Sequence, residues 1–494
     1  MQMRFLREIS FVAALLLSLA EASAQKMTLD EAVAVARNQS VPALQARQEF
    51  ISVYWQYHSY KASLLPSLSL YGALMNFDRS LTLLQSYEDG SFRYADTYSL
   101  QNTIGLRATQ NISFTGGSLS LYSDLNRLDQ FGNHKGTMWY SQPLNLRYYQ
   151  PLFSYNKYKW AKMIEPKSYE AGKKKYLESM ESVSRSVVKA YFDLILSEQK
   201  LQTAKTDFEN TSMMAALARK RIPLGTVTRD EYLQLELKML NDSLAVNEGE
   251  VSVREAQMSL NSLLGYDDSY EIEAVLDENL PEIYVDYDMV LDMAMNNSSF
   301  ALDNEVSLLN AESDVAKAKA ERGIAMELNA RFGLSQSGAD FKAAYADLLD
   351  QEVVGLTFSI PIFDWGEGRG KVQKAKAAQE VAKAKVAQGE SDRRRVIFTA
   401  VGQFNNQKQK CEVSKRAMEI ASERYGLMME KFRGGSVSVT ELVNSQSDND
   451  SAIQKHISDL EDFWTQYYSL RQYTLYDFIK GQELEINVEE MTEK

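Results

Sequence analysis

Residues Arg221-Ile222-Pro223-Leu224-Gly225-Thr226-Val227-Thr228-Arg229-Asp230-Glu231-Tyr232-Leu233 recur as Lys431-Phe432-Arg433-Gly434-Gly435-Ser436-Val437-Ser438-Val439-Thr440-Glu441-Leu442-Val443. Gly225 corresponds to Gly435, an offset of 210 (435 − 225). Tyr149-Gln150-Pro151-Leu152-Phe153 and Ser359-Ile360-Pro361-Ile362-Phe363 stand in the same register. A third pair, Ala36-Arg37-Asn38-Gln39-Ser40 and Ala294-Met295-Asn296-Asn297-Ser298, has an offset of 258 (294 − 36). The chain is therefore built from two tandem copies of one structural unit. The first carries about 48 additional residues (258 − 210) ahead of Pro151.

The second copy permits very long helices, because no proline occurs from Ile362 to Lys494 and proline is excluded from helix interiors. In the first copy Tyr176, Met180, Val183, Val187, Tyr191, Leu194, Leu201 and Phe208 advance mainly by alternating steps of four and three, the spacing of a coiled-coil seam. A helix from Ser168 to Arg221 would be roughly 80 Å long and must lie against partners. Each glycine motif falls between two such helices, where glycine can close one and threonine or serine can cap the next. Each copy thus reads as a long helical hairpin with a glycine-containing tip.

Elsewhere apolar side chains stand at every second position. They include Leu68, Leu70 and Leu74; Ile104, Leu106, Ala108, Ile112 and Phe114; Leu119, Leu121 and Leu125; Leu144, Leu146, Tyr148 and Leu152. The second copy adds Ala330, Phe332 and Leu334, then Val354, Leu356, Phe358, Ile360 and Ile362. This is the strand period, in segments of roughly nine to twelve residues, the length that crosses a bilayer when tilted. The intervening positions are polar, as in Gly105, Arg107, Thr109, Asn111 and Ser113. Tyr71, Phe77, Trp139, Tyr140, Tyr148 and Tyr149 near the strand ends read as an aromatic belt. A water-soluble sandwich would show the same alternation, so the pattern alone leaves both architectures open.

Composition narrows the choice. With 494 residues, 45% apolar content and mean hydropathy of −0.35, the chain can bury sizeable cores. It has no apolar run near 20 residues, so no transmembrane helix is expected. Arg4 and Arg7 precede the apolar stretch Phe11 to Ala20 and the small-residue site Ala22-Ser23-Ala24, which reads as a signal peptide over 1–24. No cysteine near that site offers a lipoprotein anchor, and the lone Cys411 cannot form an intramolecular disulfide. The net charge of −13 argues against nucleic acid as a partner. The three histidines, His58, His134 and His456, lack partners at ligand spacing, so neither a metal site nor a cofactor is expected. Gly366-Glu367-Gly368-Arg369-Gly370 lacks Walker spacing and reads as a strand-to-helix exit. Met213, Met214, Met428 and Met429 read as packing residues near the two tips.

Several pieces together resemble the TolC-like outer-membrane efflux protein family: Leu64-Leu65-Pro66-Ser67-Leu68, Gln150-Pro151-Leu152-Phe153, Pro361-Ile362-Phe363-Asp364-Trp365-Gly366, and Gly435-Ser436-Val437-Ser438-Val439-Thr440-Glu441-Leu442. The resemblance implies an α+β fold, with membrane β-barrel strands and very long α-helical hairpins forming a trimeric barrel-and-tunnel, two structural repeats per chain. Each chain of the homotrimer would give four strands to one shared barrel in outer-membrane lipid, with helices extending into the periplasm. A periplasmic adaptor (membrane fusion) protein and an inner-membrane pump are the implied partners. Sharing agrees with physics, since open edges within lipid would leave backbone groups unpaired.

On this reading residues 25–64 form the first-repeat N-terminal helix, 65–155 its β segment with an extra hairpin, and 156–286 its helical hairpin and connector. Residues 287–326 form the second-repeat helix, 327–363 its β-hairpin, 364–478 its helical hairpin and 479–494 a C-terminal tail. Pro66, Pro151, Pro361 and Gly366 mark the barrel-to-helix transitions. The extra hairpin, Asn102 to Phe114 and Gly117 to Asn126, either extends the barrel wall above the membrane or packs on its outer surface; the family template supports only the flanking strands as staves.

An export duct needs a sealed wall, a polar lumen and a gate, and no catalytic group is expected. The resemblance implies acidic residues six and nine positions after the tip glycine, forming a ring at the periplasmic mouth. Glu441 and Glu231 match the first position, while Asn444 stands at the second in place of a carboxylate; Asp230 adjoins Glu231. Such a ring would repel anions and attract cations. Alternatively Glu441 and Glu231 are first-turn acids favoured by the helix dipole. Gly225, Gly434, Gly435, Thr226 and Ser436 are turn residues and candidates for adaptor docking. The expected function is the passive exit duct of a tripartite efflux or type I secretion system. The alternative is a periplasmic coiled-coil tethering protein without channel activity.

Overall fold

The computed structural model describes residues 25–85, 90–132 and 135–492; the expected signal peptide and His134 lie outside the described residues. In chain order the main elements are β1 (Gln25–Met27), α1 (Leu29–Gln39), α2 (Val41–Ser63), β2 (Ser67–Gln85), β3 (Phe92–Ile112), β4 (Gly117–Gln130), β5 (Gly136–Leu152), α3 (Lys157–Arg221) and α4 (Arg229–Leu264). The connector carries β6 (Ile272–Ala274), and the second repeat follows as α5 (Tyr287–Asn296), α6 (Phe300–Arg322), β7 (Ala325–Gly338), β8 (Leu349–Ser359), α7 (Glu367–Gly434) and α8 (Val439–Thr474). Two short strands, Tyr476–Asp477 and Gln482–Glu483, and a last helix, Val488–Thr492, complete the chain. At 65 and 68 residues, α3 and α7 are each on the order of 100 Å long. Among the described residues no helix is long and apolar enough to cross a membrane.

The chain divides into two compact units. One comprises Ser52–Ala171 and Leu302–Gly389; the other comprises the chain up to Ile51, Gly172–Ala301 and Glu390 onwards. The first unit contains a single antiparallel sheet in the order β2-β3-β4-β5-β7-β8. Two expectations change here. Five of the six strands run from 14 to 21 residues, longer than the apolar alternation that announces them, because polar residues continue the ladder beyond the apolar band; β8, at 11 residues, ends at Ser359, ahead of Ile360 and Ile362. The extra hairpin is neither an extension above the wall nor a packing on it. β3 and β4 lie between β2 and β5, so the sheet has six strands instead of four, and the ladder hydrogen bonds leave the inserted pair no other place.

Both sheet exits are capped by a short polar side chain. Asn156 Oδ1 accepts from the N–H groups of Tyr158 at 3.0 Å and Lys159 at 3.2 Å as α3 begins. Asp364 accepts from Gly366 at 2.9 Å and Gly368 at 2.8 Å as α7 begins, and Gly366 takes a left-handed φ of 91°. Pro66 immediately precedes β2, Pro151 is the penultimate residue of β5, and Pro361 lies two residues past β8. The helix expected from Ser168 starts at Lys157 and runs through Pro166. One lost backbone hydrogen bond does not end a helix of 65 residues.

The second unit is helical, and its core is the coiled-coil seam: Met180, Val183, Val187, Tyr191 and Leu194 of α3 are buried against Leu260 and Leu264 of α4 and Ile457, Leu460, Phe463 and Tyr467 of α8. Glu181, fully buried, pairs with Arg471 (2.9 Å) and Arg37 (2.8 Å), while Arg471 also holds Asp477 at 2.9 Å, so three helices and the C-terminal segment share one ion network. β1 pairs in parallel with β6, tying the start of the first repeat to the connector before the second. Tyr191 pins that pair: its hydroxyl accepts from the Val275 N–H (2.8 Å) and has its one proton within reach of the carbonyls of Met27 (2.7 Å) and Val275 (2.8 Å). Tyr191→Phe removes this hydroxyl while the Val275 N–H keeps the Met27 carbonyl at 3.1 Å, and is expected to lower stability by about 1 kcal/mol in chemical denaturation.

Candidate functional site

The two tips fold by the same local chemistry. In the first, α3 passes through a 3-10 turn, Ile222–Leu224, and Gly225 closes it at a left-handed φ of 70°. In the second, Gly434 is the last residue of α7 and Gly435 takes φ 78°. There the Gly435 N–H donates to the Phe432 carbonyl and the Ser436 N–H to the Lys431 carbonyl, both at 3.0 Å, the paired bonds of a Schellman helix end. α4 then begins on a capping box between Thr228 and Glu231, and α8 on its counterpart between Ser438 and Glu441. Glycine is required at Gly225 and Gly435 because other residues rarely adopt that φ.

The two tips also pack on each other. Met214, Ala215, Ala218 and Leu235 of the first hairpin meet Met429, Phe432, Val439 and Leu442 of the second in a small separate core. Arg221 extends across to the open carbonyl end of α7, donating to Phe432 at 3.3 Å and Arg433 at 2.8 Å. Met214 and Met429 are thus packing residues, while Met213 is exposed.

The candidate gate residues are placed as follows. Glu441 is exposed and accepts from the Ser438 N–H at 3.1 Å, with the Ser438 hydroxyl at 3.0 Å. The backbone bond and then the hydroxyl hold its carboxyl below the usual range, so it is ionised at neutral pH. Glu231 accepts from the Thr228 N–H at 2.8 Å, and Asp230 from Gln234 at 2.9 Å. Asn444 is exposed on α8. Thr226 donates weakly to the Arg221 carbonyl at 3.4 Å, and Gly225, Gly434, Gly435 and Ser436 are exposed. The capping geometry accounts for both glutamates as first-turn acids without removing their charge from solvent.

The periodicity does not reveal an acidic cluster behind the tip. Asp207 of α3, Asp242 of α4 and Asp450 of α8 lie together, with Tyr425 of α7 and Lys238 of α4 alongside. Thr211 donates to Asp242 at 2.7 Å and Lys238 holds it at 3.0 Å. Burial, then the nearby Asp450 carboxylate, pushes Asp207 up to about 7. The heptad reading points to Phe208, but the neighbouring Asp207 is the buried residue. An acid inside a run of seam positions was the available signal. Because the folded state raises this pKa, Asp207 costs stability as pH rises from about 4 to about 7. Asp207→Asn is expected to flatten the fall of thermal stability across that window, by at most about 1.4 kcal/mol per pH unit.

In the sheet unit the pleat separates two faces. Leu68, Leu70, Ile104, Leu106, Leu121, Leu146, Phe332, Val354, Leu356 and Phe358 share one face and are exposed, Leu68 at 75% and Val354 at 65%. Monomeric soluble proteins rarely expose so broad an apolar surface. The opposite face is polar. Tyr71 reaches across Gly105 to donate to Asp124 at 2.8 Å, with the Arg107 guanidinium 4.4 Å from the Tyr71 ring, and Arg147 donates to Asn329 at 3.4 Å. A Cβ at Gly105 would lie 2.7 Å from the Tyr71 ring, so the missing side chain makes the crossing possible. The expected aromatic belt divides by the pleat: Phe77, Trp139 and Tyr148 lie on the apolar face, and Tyr71, Tyr140 and Tyr149 on the polar one.

The chain is thus an α+β protein with an antiparallel sheet, apolar and exposed on one face and polar on the other, and two long helical hairpins packed together at their tips. Residues 297–474 match the family model described as outer membrane efflux protein. No curated protein matches the chain in sequence. Among solved structures, the outer membrane protein VceC of Vibrio cholerae is 14% identical, with 92% of this chain and 97% of that chain covered and a TM-score of 0.62. The CmeC outer membrane channel of Campylobacter jejuni is 16% identical, with 94% and 89% covered and a TM-score of 0.64. The MtrE outer membrane channel of Neisseria gonorrhoeae is 13% identical, with 93% and 91% covered and a TM-score of 0.61. The sequence match is thus confined to residues 297–474, while the fold shared with these outer-membrane channels extends over nine-tenths of the chain.

Proposed function

We propose that the chain is the outer-membrane exit duct of a tripartite efflux or type I secretion system, working as a homotrimer. It conducts substrates passively from an inner-membrane pump through a periplasmic adaptor, and no chemical step falls to its own residues. The observation that carries this reading is the two-faced sheet: its exposed leucines, valines and phenylalanines suit hydrocarbon, and its Arg107, Asp124 and Arg147 suit a water-filled lumen. The solved neighbours support the channel architecture. The exposed tip glycines and the Arg221 clamp provide the surface on which an adaptor hairpin would dock. Glu441, ionised and exposed at the start of α8, supplies the charge for a cation-attracting gate.

The test is single-channel conductance of the detergent-purified mature protein in a planar bilayer, with Glu441→Gln alongside. The glutamine oxygen can still accept from the Ser438 N–H, so the substitution removes charge while keeping the cap. Stable steps with a cation preference that falls in the variant are expected. Steps with unchanged selectivity would keep the duct and remove Glu441 from its gate. A protein that fractionates as soluble and gives no steps would favour the tethering reading.

A further inference from the structure

The sheet unit has two free edges, β2 and β8, and both bear the apolar band: Leu68, Leu70 and Leu74 on one, Val354, Leu356 and Phe358 on the other. Hydrocarbon offers no hydrogen bonds, so these edges must find strands. They cannot find each other within one chain, since six strands fall short of the eight that form the smallest membrane barrels. The partner must therefore present a matching edge. A second copy presents one with no further requirement, because an even number of antiparallel strands leaves β2 and β8 running in opposite directions. β8 of one copy can thus continue the ladder antiparallel onto β2 of the next. Resting on the homotrimer of the proposed function, we infer that three copies close one barrel of eighteen strands, six from each chain, in place of the twelve that four strands per chain would give.

The inserted hairpin supports this count. β3 pairs along its length with β2 on one side and β4 on the other, and β4 pairs in turn with β5. Its faces are in phase with the rest of the wall: Leu106 and Leu121 lie on the apolar face beside Leu70 and Leu146. The Tyr71–Asp124 bond spans three strands on the polar face, locking β2, β3 and β4 as consecutive staves. With neighbouring strands about 4.8 Å apart and tilted by about 40°, eighteen strands enclose a backbone cylinder roughly 36 Å across, against roughly 24 Å for twelve. Barrels of sixteen to eighteen strands leave an open aqueous channel. The outer mouth of this duct is therefore wide, and the extra 48 residues of the first repeat serve to widen it.

The test is an electron cryomicroscopy reconstruction of the full mature protein in lipid nanodiscs, viewed along the barrel axis. Three-fold symmetry with eighteen staves and a β8-to-β2 seam between copies is expected. A three-fold barrel of twelve staves, with residues 102–126 off the wall, would overturn the inference and leave the exit duct standing. Particles without a membrane-embedded barrel would overturn both.

Discussion

A backbone amide in hydrocarbon has no water to turn to, and the architecture of this chain follows from that constraint. The ladder of the six-stranded sheet satisfies the interior strands, and the pleat then fixes which side chains meet lipid. Placing Leu70 outward places Tyr71 inward, so one alternation yields both the apolar exterior and the polar lining. The edges remain, and they make a solitary chain an incomplete object. The proposed assembly would complete a hydrogen-bond network that the fold leaves open.

The helical unit solves a different problem. Helices of 65 and 68 residues satisfy their own backbone but depend on packing along the seam, where Val187, Tyr191, Leu194 and their partners exclude water. Charge is admitted to this core only where it is answered, as Glu181 is by Arg471 and Arg37. The acidic cluster of Asp207, Asp242 and Asp450 has Lys238 beside its three carboxylates, and Asp207 responds with a raised pKa. Burial raises Glu198 and Glu461 of the same unit to about 7 as well, so the helical unit carries several carboxyls that titrate near neutrality.

Much of this was legible in the sequence, because repeats and periods are properties of a string. The 210-residue offset foretold twin tips, and they share left-handed glycines and capping boxes down to Thr228–Glu231 and Ser438–Glu441. The alternation of Leu68, Leu70 and Leu74 foretold a strand with one apolar face. The rest depended on information that a single segment lacks. Strand lengths outran the apolar pattern because ladder bonds do not require apolar side chains. The place of β3 and β4 was hidden because alternation names a strand without naming its neighbours. Asp207 escaped notice because its burial is set by helices from the other repeat, and the bonds of the tip glutamates to Ser438 and Thr228 likewise needed the folded helix ends.

The claim that the sheet is a membrane wall is tested most directly by a cysteine-accessibility scan along β3, from Thr103 to Thr109. Single cysteines in the reconstituted protein would be challenged with a water-soluble, membrane-impermeant maleimide; the native Cys411 is buried. The account predicts labelling with a period of two, in which Thr103, Arg107 and Thr109 positions react from the lumen while Ile104, Leu106 and Ala108 positions are protected by lipid; Gly105, which has no room for a side chain, is left unchanged. Uniform labelling along the strand would contradict it.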